Sequence, residues 1–376
     1  MEEQFQKIRK KRIAIIGSRG YPVVYSGFET LVKELAEGLR DKNFDITVYC
    51  HDHLFDKKPD QVNGINLVYI KTSKRKNFAQ LVHSFKSIFH CCFKRYDLIF
   101  AVNSANGIFG IVPKIFRIPN VINVDGMEWK RPKWNLLGKI FFYLSSWFSS
   151  LFYSRVITDA DAMASIYKKS FWCKSDVIEY GANINKSNEY NLLSKYNLSP
   201  DNYYIIVGRL IPDNNADLIV DGFVNSNSTK KLVIVGDVPY KDSYADQIKS
   251  VNDNRLQFVG YVKDRVLLDQ MVKHSYAYFH GHEFGGTNPT LLEALSNNAK
   301  ILALDTAFTR EVLKDGEHGL FFEKKKSSVE NLVNSIEKTP HLLTKFIHKG
   351  VKRIEERYNW KRIIDLYSDV FNQTIK

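Results

Sequence analysis

The chain has few cysteines and no long apolar run. The first absence argues against a disulfide-rich secreted protein, and the second argues against a protein that spans a membrane. Its 376 residues include four cysteines, and none of them belongs to a C-x-x-C pair. A disulfide framework and a zinc ribbon are therefore not indicated, and a reducing cytoplasm is the simplest compartment. No amino-terminal segment has the apolar core of a signal peptide. The length predicts two domains. The cysteines are Cys50, Cys91, Cys92 and Cys173.

Acidic residues are scarce in the first half of the chain. Residues 1–190 contain 29 lysines and arginines against 18 aspartates and glutamates, whereas residues 191–376 contain 25 against 23. A basic surplus on one domain suits an anionic membrane surface or an anionic lipid-linked acceptor, and it would also attract nucleic acid. We expect no nucleic-acid partner, because no zinc spacing, aromatic RNP-like strand or basic helix accompanies the charge.

Residues 136–153, LLGKIFFYLSSWFSSLFY, come closest to a membrane span. They include Lys139 and four serines, so we predict no transmembrane helix. Two interpretations remain open. The first is a helix largely buried in the first domain. The second is a helix whose aromatic face, with Trp147 and Phe148, enters the membrane interface beside the basic loop 130–133.

Strand and helix patterns alternate along the whole chain, which predicts two doubly wound α/β domains. The polar, turn-rich stretch 187–202 marks the junction between them. Strands are expected at 12–18, 45–51, 65–70, 97–103, 121–124, 155–159 and 176–180 in the first half, and at 203–207, 231–235, 256–259, 277–280, 300–304 and 319–322 in the second.

The most informative motif is FHGHEFGGTNPTLLEAL, at positions 279–295. It joins a strand to a helix through two glycines, with Asn288 as the predicted helix N-cap and Pro289 in the first turn. Backbone N–H groups and the positive end of the helix dipole would point into this loop, an arrangement that binds anions. The carboxylate of Glu293 could accept hydrogen bonds from sugar hydroxyls at the same opening. Phosphate and hydroxyls together suggest a nucleotide sugar, although glycine-rich turns of this kind can also be merely structural.

A second motif, YYIIVGRLIPDNNADLIVDGF at positions 203–223, strengthens the nucleotide-sugar interpretation. Its strand ends in Gly208 and Arg209, which delivers the arginine to the carboxyl edge of a sheet, the usual ligand edge of such folds. A guanidinium at that edge can hold a diphosphate with two hydrogen bonds.

These two motifs together resemble the carboxyl-terminal domain of family 4 glycosyltransferases, which have the GT-B fold. The segments 12–39 and 121–134, RIAIIGSRGYPVVYSGFETLVKELAEGL and VINVDGMEWKRPKW, resemble the rhamnosyltransferase-like enzymes of bacterial polysaccharide assembly. The resemblance implies two Rossmann-like domains facing a cleft, with a last helix that crosses back to the first domain. The domains implied are 1–190 on the acceptor side, 191–357 for the nucleotide sugar and 358–376 for the last helix.

The resemblance also assigns residues to the site. The loop 20–29 lacks the G-x-G-x-x-G spacing of a dinucleotide site, and in the resembled family it holds donor phosphate or acceptor. Asp125 stands where many family members have a histidine that touches the donor sugar. The resulting assignments are as follows: catalytic, Arg209, Asp125 and Glu293; donor-binding, Gly27, Gly208, Arg209, Gly260, Tyr261, His282, Gly285, Gly286, Thr287, Asn288 and Glu293; acceptor-binding, Phe28, Glu29, Glu128, Trp129 and Arg131.

Each first-domain assignment has a structural alternative: a tight turn with an ordinary first-turn glutamate at residues 27–29, and a loop that is simply rich in aromatics at 128–131. The sequence also departs twice from the family pattern. Asn214 stands where a lysine usually joins the arginine on the diphosphate, and Gly285 stands where the first of two glutamates is expected. Either Glu283 substitutes for that glutamate or the first acid is absent.

The resemblance implies transfer with retention of anomeric configuration and no cofactor. Asp159 and Asp161 imitate a D-x-D metal motif, but capping and the dipole of the following helix explain both acids, so no metal site is predicted. The expected partners are dTDP-rhamnose or another nucleotide sugar as donor, a lipid-linked saccharide as acceptor and an anionic membrane surface, with the protein at the cytoplasmic face. A UDP-hexose donor and a sugar-nucleotide epimerase remain alternatives.

Overall fold

The structure is a computed structural model that describes residues 9–22, 27–72, 76–238 and 241–376. The chain forms two compact units. The first contains the chain up to Trp129, Leu136–Glu179 and Trp360–Lys376. The second contains Lys130–Asn135 and Tyr180–Asn359.

The first unit is a parallel sheet with helices connecting its strands. Its sheet order is β3-β4-β2-β1-β5-β6-β7-β8, and β3 is antiparallel to β4. Its strands are β1 (Lys11–Ile16), β2 (Phe44–His51), β3 (Gln61–Val62), β4 (Ile65–Ile70), β5 (Leu98–Val102), β6 (Asn120–Val124), β7 (Arg155–Thr158) and β8 (Asp176–Val177). Its helices are α1 (Gly27–Asp41), α2 (Lys76–Cys92), α3 (Ile111–Ile115), α4 (Leu136–Phe152), α5 (Asp161–Phe171) and α14 (Trp360–Thr374), with a 3-10 helix at Ser104–Gly110.

The last helix, α14, packs on the first unit although it is distant in sequence. Its Tyr367 hydroxyl accepts a hydrogen bond of 2.8 Å from Asn123 Nδ2, at the carboxyl half of β6. The same tyrosine ring and that of Phe371 lie 5.5 and 5.3 Å from the ring of Phe100 on β5. The carboxyl-terminal helix is therefore part of the core of the first unit.

The second unit repeats the doubly wound design with a six-stranded parallel sheet of order β11-β10-β9-β12-β13-β14. Its strands are β9 (Tyr203–Val207), β10 (Lys231–Val235), β11 (Leu256–Gly260), β12 (Ala277–His280), β13 (Ile301–Leu304) and β14 (Leu320–Phe322). Its helices are α6 (Ala216–Val224), α7 (Ser243–Lys249), α8 (Arg265–Lys273), α9 (Pro289–Ser296), α10 (Ala307–Val312), α11 (Lys326–Lys338), α12 (His341–Thr344) and α13 (Lys349–Arg357).

The strand order of the second unit reverses between β9 and β12. The chain proceeds from β9 outward to β10 and β11, and then returns to the other side of β9 with β12. Such a reversal leaves a crevice at the carboxyl ends of the two strands, where α/β domains bind ligands. Both units are therefore Rossmann-like, as the fold class predicted from the sequence requires.

Helix α4 does not have the largely buried position that one interpretation gave it. It buries Phe142 and three serines, whereas Leu137, Ile140, Trp147 and other apolar residues are exposed. Within the described part of the chain, none of the helices combines the length and the apolar content that spanning a bilayer takes.

Two stacked imidazoles are buried in the first unit, at the carboxyl end of β2. The rings of His51, at the end of β2, and His83, on α2, are 3.7 Å apart and nearly parallel. Burial lowers the pKa of His51 to about 4 and that of His83 to about 3. Both rings are therefore neutral at pH 7, and protonating either in the folded state is unfavourable.

Acidification is expected to destabilise the protein through these histidines. Their contribution to stability is complete above the pKa of an unfolded histidine, about 6.5, and is lost as the pH falls toward the depressed folded values, because the unfolded chain then binds more protons. For each histidine, the free energy of unfolding falls by up to about 1.4 kcal/mol for each pH unit of acidification over this range. Urea unfolding of wild type and His83→Phe near neutral and acidic pH measures this. The variant keeps a ring but takes no proton, so its pH dependence should be smaller; equal dependence in both proteins would contradict the explanation.

Candidate functional site

Three loops, which follow β9, β10 and β12, meet at the carboxyl edge of the sheet of the second unit. A Cβ at Gly236, after β10, would overlap the carbonyl oxygen of Gly208, and a Cβ at Gly281, after β12, would overlap that of Asn214. Gly236 also has a φ of +118°, which side chains rarely adopt. Only glycine fits these positions, so the backbones of the loops lie closer together than other residues would permit.

Asn214 joins the loop after β9 to the loop after β12 through its side-chain amide. Its Nδ2 donates to the carbonyl oxygen of Arg209 over 2.8 Å, and its Oδ1 lies 2.8 Å from Nδ1 of His282. The imidazole of His282 in turn fills the space that a Cβ on Gly285 would need. The position that lacks the family lysine therefore carries a residue that fixes the geometry of both loops.

His282 has several cations near it. Burial is the main reason that its pKa lies well below the ordinary value, and the charges of Arg131, Arg209 and Lys133 lower it further. Burial also lowers the pKa of the neighbouring His280 to about 3. Both rings are thus neutral, while the cations around them give this part of the second unit a positive potential suited to a phosphate.

Arg131, which the resemblance assigned to the acceptor, contacts the loops after β9 and β12. Its Nη1 lies 3.4 Å from Oδ2 of Asp213, and its Nη2 donates to the carbonyl oxygen of Phe284 over 3.1 Å. Both charged side chains are buried, at 10% and 2% exposed. The backbone N–H of Glu283 also donates to the carbonyl oxygen of Asp213, over 3.0 Å. Arg131 therefore supports the loops after β9 and β12, and its assignment to the acceptor stays a prediction.

The start of α9 has the geometry predicted for it. Asn288 is the N-cap, and its Oδ1 accepts hydrogen bonds from the N–H and the hydroxyl of Thr290, over 2.9 and 2.7 Å. Pro289 occupies the first turn, and Thr287 is buried. A small cavity adjoins the loop, and its lining includes His280, His282, Gly285, Gly286, Asn288 and Thr309.

Glu293 has a partner that the sequence did not suggest. Arg265, the first residue of α8, places its Nη2 3.0 Å from Oε2 of Glu293. Burial raises the pKa of this carboxyl, and the guanidinium opposes the rise. The predicted substitute, Glu283, instead accepts hydrogen bonds from Asn215 Nδ2 and Lys324 Nζ, over 3.3 and 2.6 Å. Glu283 and Glu293 thus face different cations.

The loop after β11 leaves open space beside its glycine. Gly260 has a φ of +68°, and an added Cβ would meet no atom within 4 Å. Its carbonyl oxygen accepts a hydrogen bond from Gly236, which connects this loop to the glycine-lined edge. Tyr261 follows with 76% of its surface exposed. Gly260 and Tyr261 are therefore accessible from outside the unit, and their assignment to the donor stays a prediction.

In the first unit, Gly27 and Phe28 open α1, and residues 23–26 of the predicted loop lie outside the described residues. Glu29 is buried, and its Oε1 accepts a hydrogen bond of 3.0 Å from the backbone N–H of Arg19. Glu29 thus tethers the segment after β1 to the first turn of α1. This contact agrees with the structural alternative for the loop, and an acceptor role for Phe28 and Glu29 stays a prediction.

The residues after β6 are more embedded than the sequence suggested. Asp125 is half-buried, and Glu128 is buried. The indole of Trp129 packs edge-on against Tyr143 and Phe171, with ring centres 6.1 and 5.6 Å away. Trp129 is therefore part of an aromatic cluster in the first unit, and stacking on a sugar would use the smaller part of its surface that remains accessible.

The D-x-D pattern lies at the start of α5. Asp161 is the first residue of the helix, where its dipole favours an acid, whereas the N-cap is Ala160 and not Asp159, which is buried just before it. Among the residues that the structure describes, no three histidines, cysteines or carboxylates are grouped to hold a metal ion.

A larger groove of about 350 Å³, lined by Lys114, Arg117 and Ser154, lies at the amino-terminal edge of β6 and β7 in the first unit. It contains none of the predicted site residues.

Removing the Arg131 guanidinium is expected to destabilise the second unit. Arg131→Met leaves the buried carboxylate of Asp213 without this cation, at a cost of about 3–5 kcal/mol. Adding Asp213→Asn should restore part of that loss, because the buried charge is then gone as well. Urea unfolding of the two single variants and the double variant measures the coupling. Simple additivity of the two losses would show that the pair does not support the loops.

Two family models match the chain. Residues 192–368 match the family model described as glycosyl transferases group 1, and residues 10–183 match a domain of unknown function, DUF1972. No curated protein sequence matches the chain.

Several solved structures share the fold at low sequence identity. Sucrose-phosphate synthase from Thermosynechococcus elongatus is 15% identical with a TM-score of 0.79, over 97% of this chain and 99% of that one. Anabaena Alr3699/HepE in complex with UDP-glucose is 15% identical with a TM-score of 0.75, over 96% and 99%. WaaG, a glycosyltransferase involved in lipopolysaccharide biosynthesis, is 11% identical with a TM-score of 0.69, over 96% and 99%. Residues 192–368 thus match the glycosyl transferases group 1 model, and the solved structures show that the chain shares the GT-B fold.

Proposed function

We propose that the protein transfers a sugar from a nucleotide diphosphate donor to a saccharide acceptor, with retention of anomeric configuration and without a metal. The observation that carries the proposal is the meeting of two loops at the carboxyl ends of β9 and β12, inside the group 1 domain. Neutral imidazoles, close-packed glycines and several cations occur together at that edge.

The donor diphosphate would bind at the loop between β12 and α9. Backbone N–H groups around Gly285 and Gly286, with the dipole of the following helix, would face its oxygens. Arg209 is exposed beside this loop, and its carbonyl oxygen accepts a hydrogen bond from Asn214. Lys133 lies close enough to His282 to influence its pKa, and it would supply a second positive charge in place of the missing lysine.

The bond that breaks joins the anomeric carbon to the β-phosphate oxygen, and its electron pair leaves with the nucleoside diphosphate. The acceptor oxygen forms the new bond on the same face of the sugar, and its proton passes to the departing phosphate. The main task of the protein is then to stabilise the negative charge that develops on the diphosphate, which preorganised N–H groups and Arg209 can do. Glu293, held by Arg265, would accept hydrogen bonds from the sugar hydroxyls.

In the first unit, Asp125 and Gly27 are the residues that would bind groups of the substrates. A carboxylate at Asp125 can accept hydrogen bonds from sugar hydroxyls, as the histidine of the resembled family would donate or accept them. Gly27 begins α1, where backbone N–H groups are available to an anion. A lipid-linked saccharide at the cytoplasmic face of a membrane is the acceptor proposed.

Two donors are favoured by different observations. The motifs of residues 12–39 and 121–134 favour dTDP-rhamnose. The likeness to a structure bound to UDP-glucose favours a UDP-hexose. An epimerase would convert the nucleotide sugar in the absence of an acceptor, so incubation with each donor alone distinguishes that activity from transfer.

A thermal-shift panel is expected to identify the donor. A ligand that binds only the folded protein raises the melting temperature, by an amount equivalent to about 2.7 kcal/mol at a hundredfold excess over Kd. The panel compares dTDP-rhamnose, UDP-glucose, UDP-galactose, UDP-N-acetylglucosamine and the free nucleotides. A rise with one class of nucleotide sugar would support the proposal, and no rise with any of them would contradict it.

Arg209→Ala is expected to reduce turnover strongly. The loss of a charged donor to the departing diphosphate should cost about 2–4 kcal/mol of transition-state stabilisation, which corresponds to a rate lower by roughly 30- to 900-fold. Lys352→Ala is the matched control, because Lys352 is an exposed cation on α13 of the same unit. Turnover is measured with the donor that the panel identifies. A near-wild-type rate for the Arg209 variant would refute its assignment.

A further inference from the structure

Two helices of the first unit expose large apolar side chains and bury serines. Helix α4 buries Ser145, Ser146 and Ser149, and most of its large apolar side chains are exposed. Helix α2 buries Ser84 and Ser87 together with Ile88, and it exposes phenylalanines. A surface helix in water normally turns its apolar stripe toward the core. The exposed apolar side chains of α2 and α4 therefore indicate that these helices contact something less polar than water. The exposed apolar residues are Val82, Phe85 and Phe89 on α2, and Leu136, Leu137, Ile140, Tyr143, Leu144, Trp147 and Leu151 on α4.

Packing explains why the serines face inward. The hydroxyl of Ser145 donates to the carbonyl oxygen of Ser104 over 2.7 Å, and a Cβ on Gly107 would overlap the backbone of Ser145. The segment Ser104–Gly110 therefore lies directly against α4, and only small residues allow this approach. The apolar residues of α4 are consequently left on its outer side.

The exposed apolar residues form one continuous surface. The ring of Phe85 lies 5.9 Å from Phe109, and that of Phe93 lies 5.4 Å from Phe116, so α2 contacts the segment 104–117. Lys114 connects that segment to α4, because its Nζ donates to the carbonyl oxygen of Leu151 over 2.6 Å. We call the outer side of α2, residues 93–95, segment 104–117 and α4 the aromatic–basic face.

This surface is unusually concentrated. Of the 21 large apolar side chains that are exposed in the described part of the chain, 15 lie on the aromatic–basic face. They include Leu137 at 76% and Ile115 at 71% exposed. Single exposed apolar residues are ordinary, but a patch of this kind marks an interaction surface.

The charge on the face identifies its partner. Lysines and arginines are interspersed among the apolar residues, and α2, segment 104–117 and α4 contain no aspartate or glutamate. A second copy of the chain would bring cations against cations with no acid to pair them, which disfavours self-association. Aromatic and aliphatic side chains with a basic rim are instead suited to the interface of an anionic bilayer. The cations are Lys86, Lys94, Arg95, Lys114, Arg117 and Lys139.

We propose that the aromatic–basic face docks on the surface of a membrane containing anionic lipid, with the phenylalanines of α2 and the apolar residues of α4 in the interface. The inference rests on the proposed function in one respect, since such a surface would hold the enzyme beside a lipid-linked acceptor. Docking itself needs neither donor nor acceptor, so the two proposals can fail separately.

Vesicle flotation tests the docking. Wild-type protein is expected to bind vesicles of phosphatidylcholine with about 30% phosphatidylglycerol, to bind pure phosphatidylcholine more weakly, and to lose affinity as salt increases. The variant Phe85→Ser/Phe89→Ser/Phe93→Ser should bind the anionic vesicles more weakly, on the order of tenfold or more. The variant Lys86→Gln/Lys94→Gln/Lys139→Gln should lose the preference for anionic lipid.

Matched controls keep the test interpretable. Trp172→Ser and Ile347→Ser also remove exposed apolar side chains but lie outside the face, so they should bind vesicles as wild type does. Urea midpoints and the donor-induced thermal shift should be unchanged in every variant, because the substituted residues are exposed or, in the case of Lys139, only half-buried. Absence of wild-type binding, or equal binding by the phenylalanine variant, would overturn the proposal. A dimer in light scattering that the phenylalanine variant dissociates would assign the face to a second copy and overturn it as well.

Discussion

The close approach of the loops that follow β9, β10 and β12 determines the geometry of the candidate site. Glycines at 236 and 281 permit main-chain contact that a single methyl group would prevent. Once the backbones meet, Asn214 can bridge the Arg209 carbonyl and His282, and Arg131 can reach both Asp213 and Phe284. The positive charge and the N–H groups of this edge are useful to a diphosphate only because these contacts hold them in one arrangement.

Local sequence patterns predicted the parts of the fold that depend on neighbours in the chain. The strand at 203–207 and the N-cap at Asn288 were predicted at the residues where they occur, because alternation and capping are set within a few positions. The strand expected at 176–180 is regular only at Asp176–Val177, and the antiparallel pair of β3 with β4 was not predicted. Short edge strands depend on pairing partners more than on their own pattern.

The candidate site could be predicted as a place, but its contacts could not. The partners of Arg131 lie 82 and 153 positions away in the chain, and nothing in local spacing connects them. Arg265 follows the turn after β11, and its contact with Glu293 depends on the packing of α8 beside α9. The one available signal for Arg265 was its place in the first turn of a helix at the ligand edge of the sheet. Composition likewise located the basic surplus in the first half of the chain, but it could not reveal which side of α2 and α4 faces outward.

The burial of serines and the exposure of phenylalanines follow from one steric requirement. Segment 104–110 contacts α4 along Ser145 and Ser149, and any larger residue there would push the segment away from the sheet that carries it. Since the inner side of α4 must be small, its apolar content is left to the outer side. In water such a surface is unfavourable, because it exposes apolar area with no compensating contact. The two sides of α4 therefore have separate tasks: the small inner residues preserve the fold, and the exposed outer residues, which we propose to dock on a membrane, can be replaced without loss of stability.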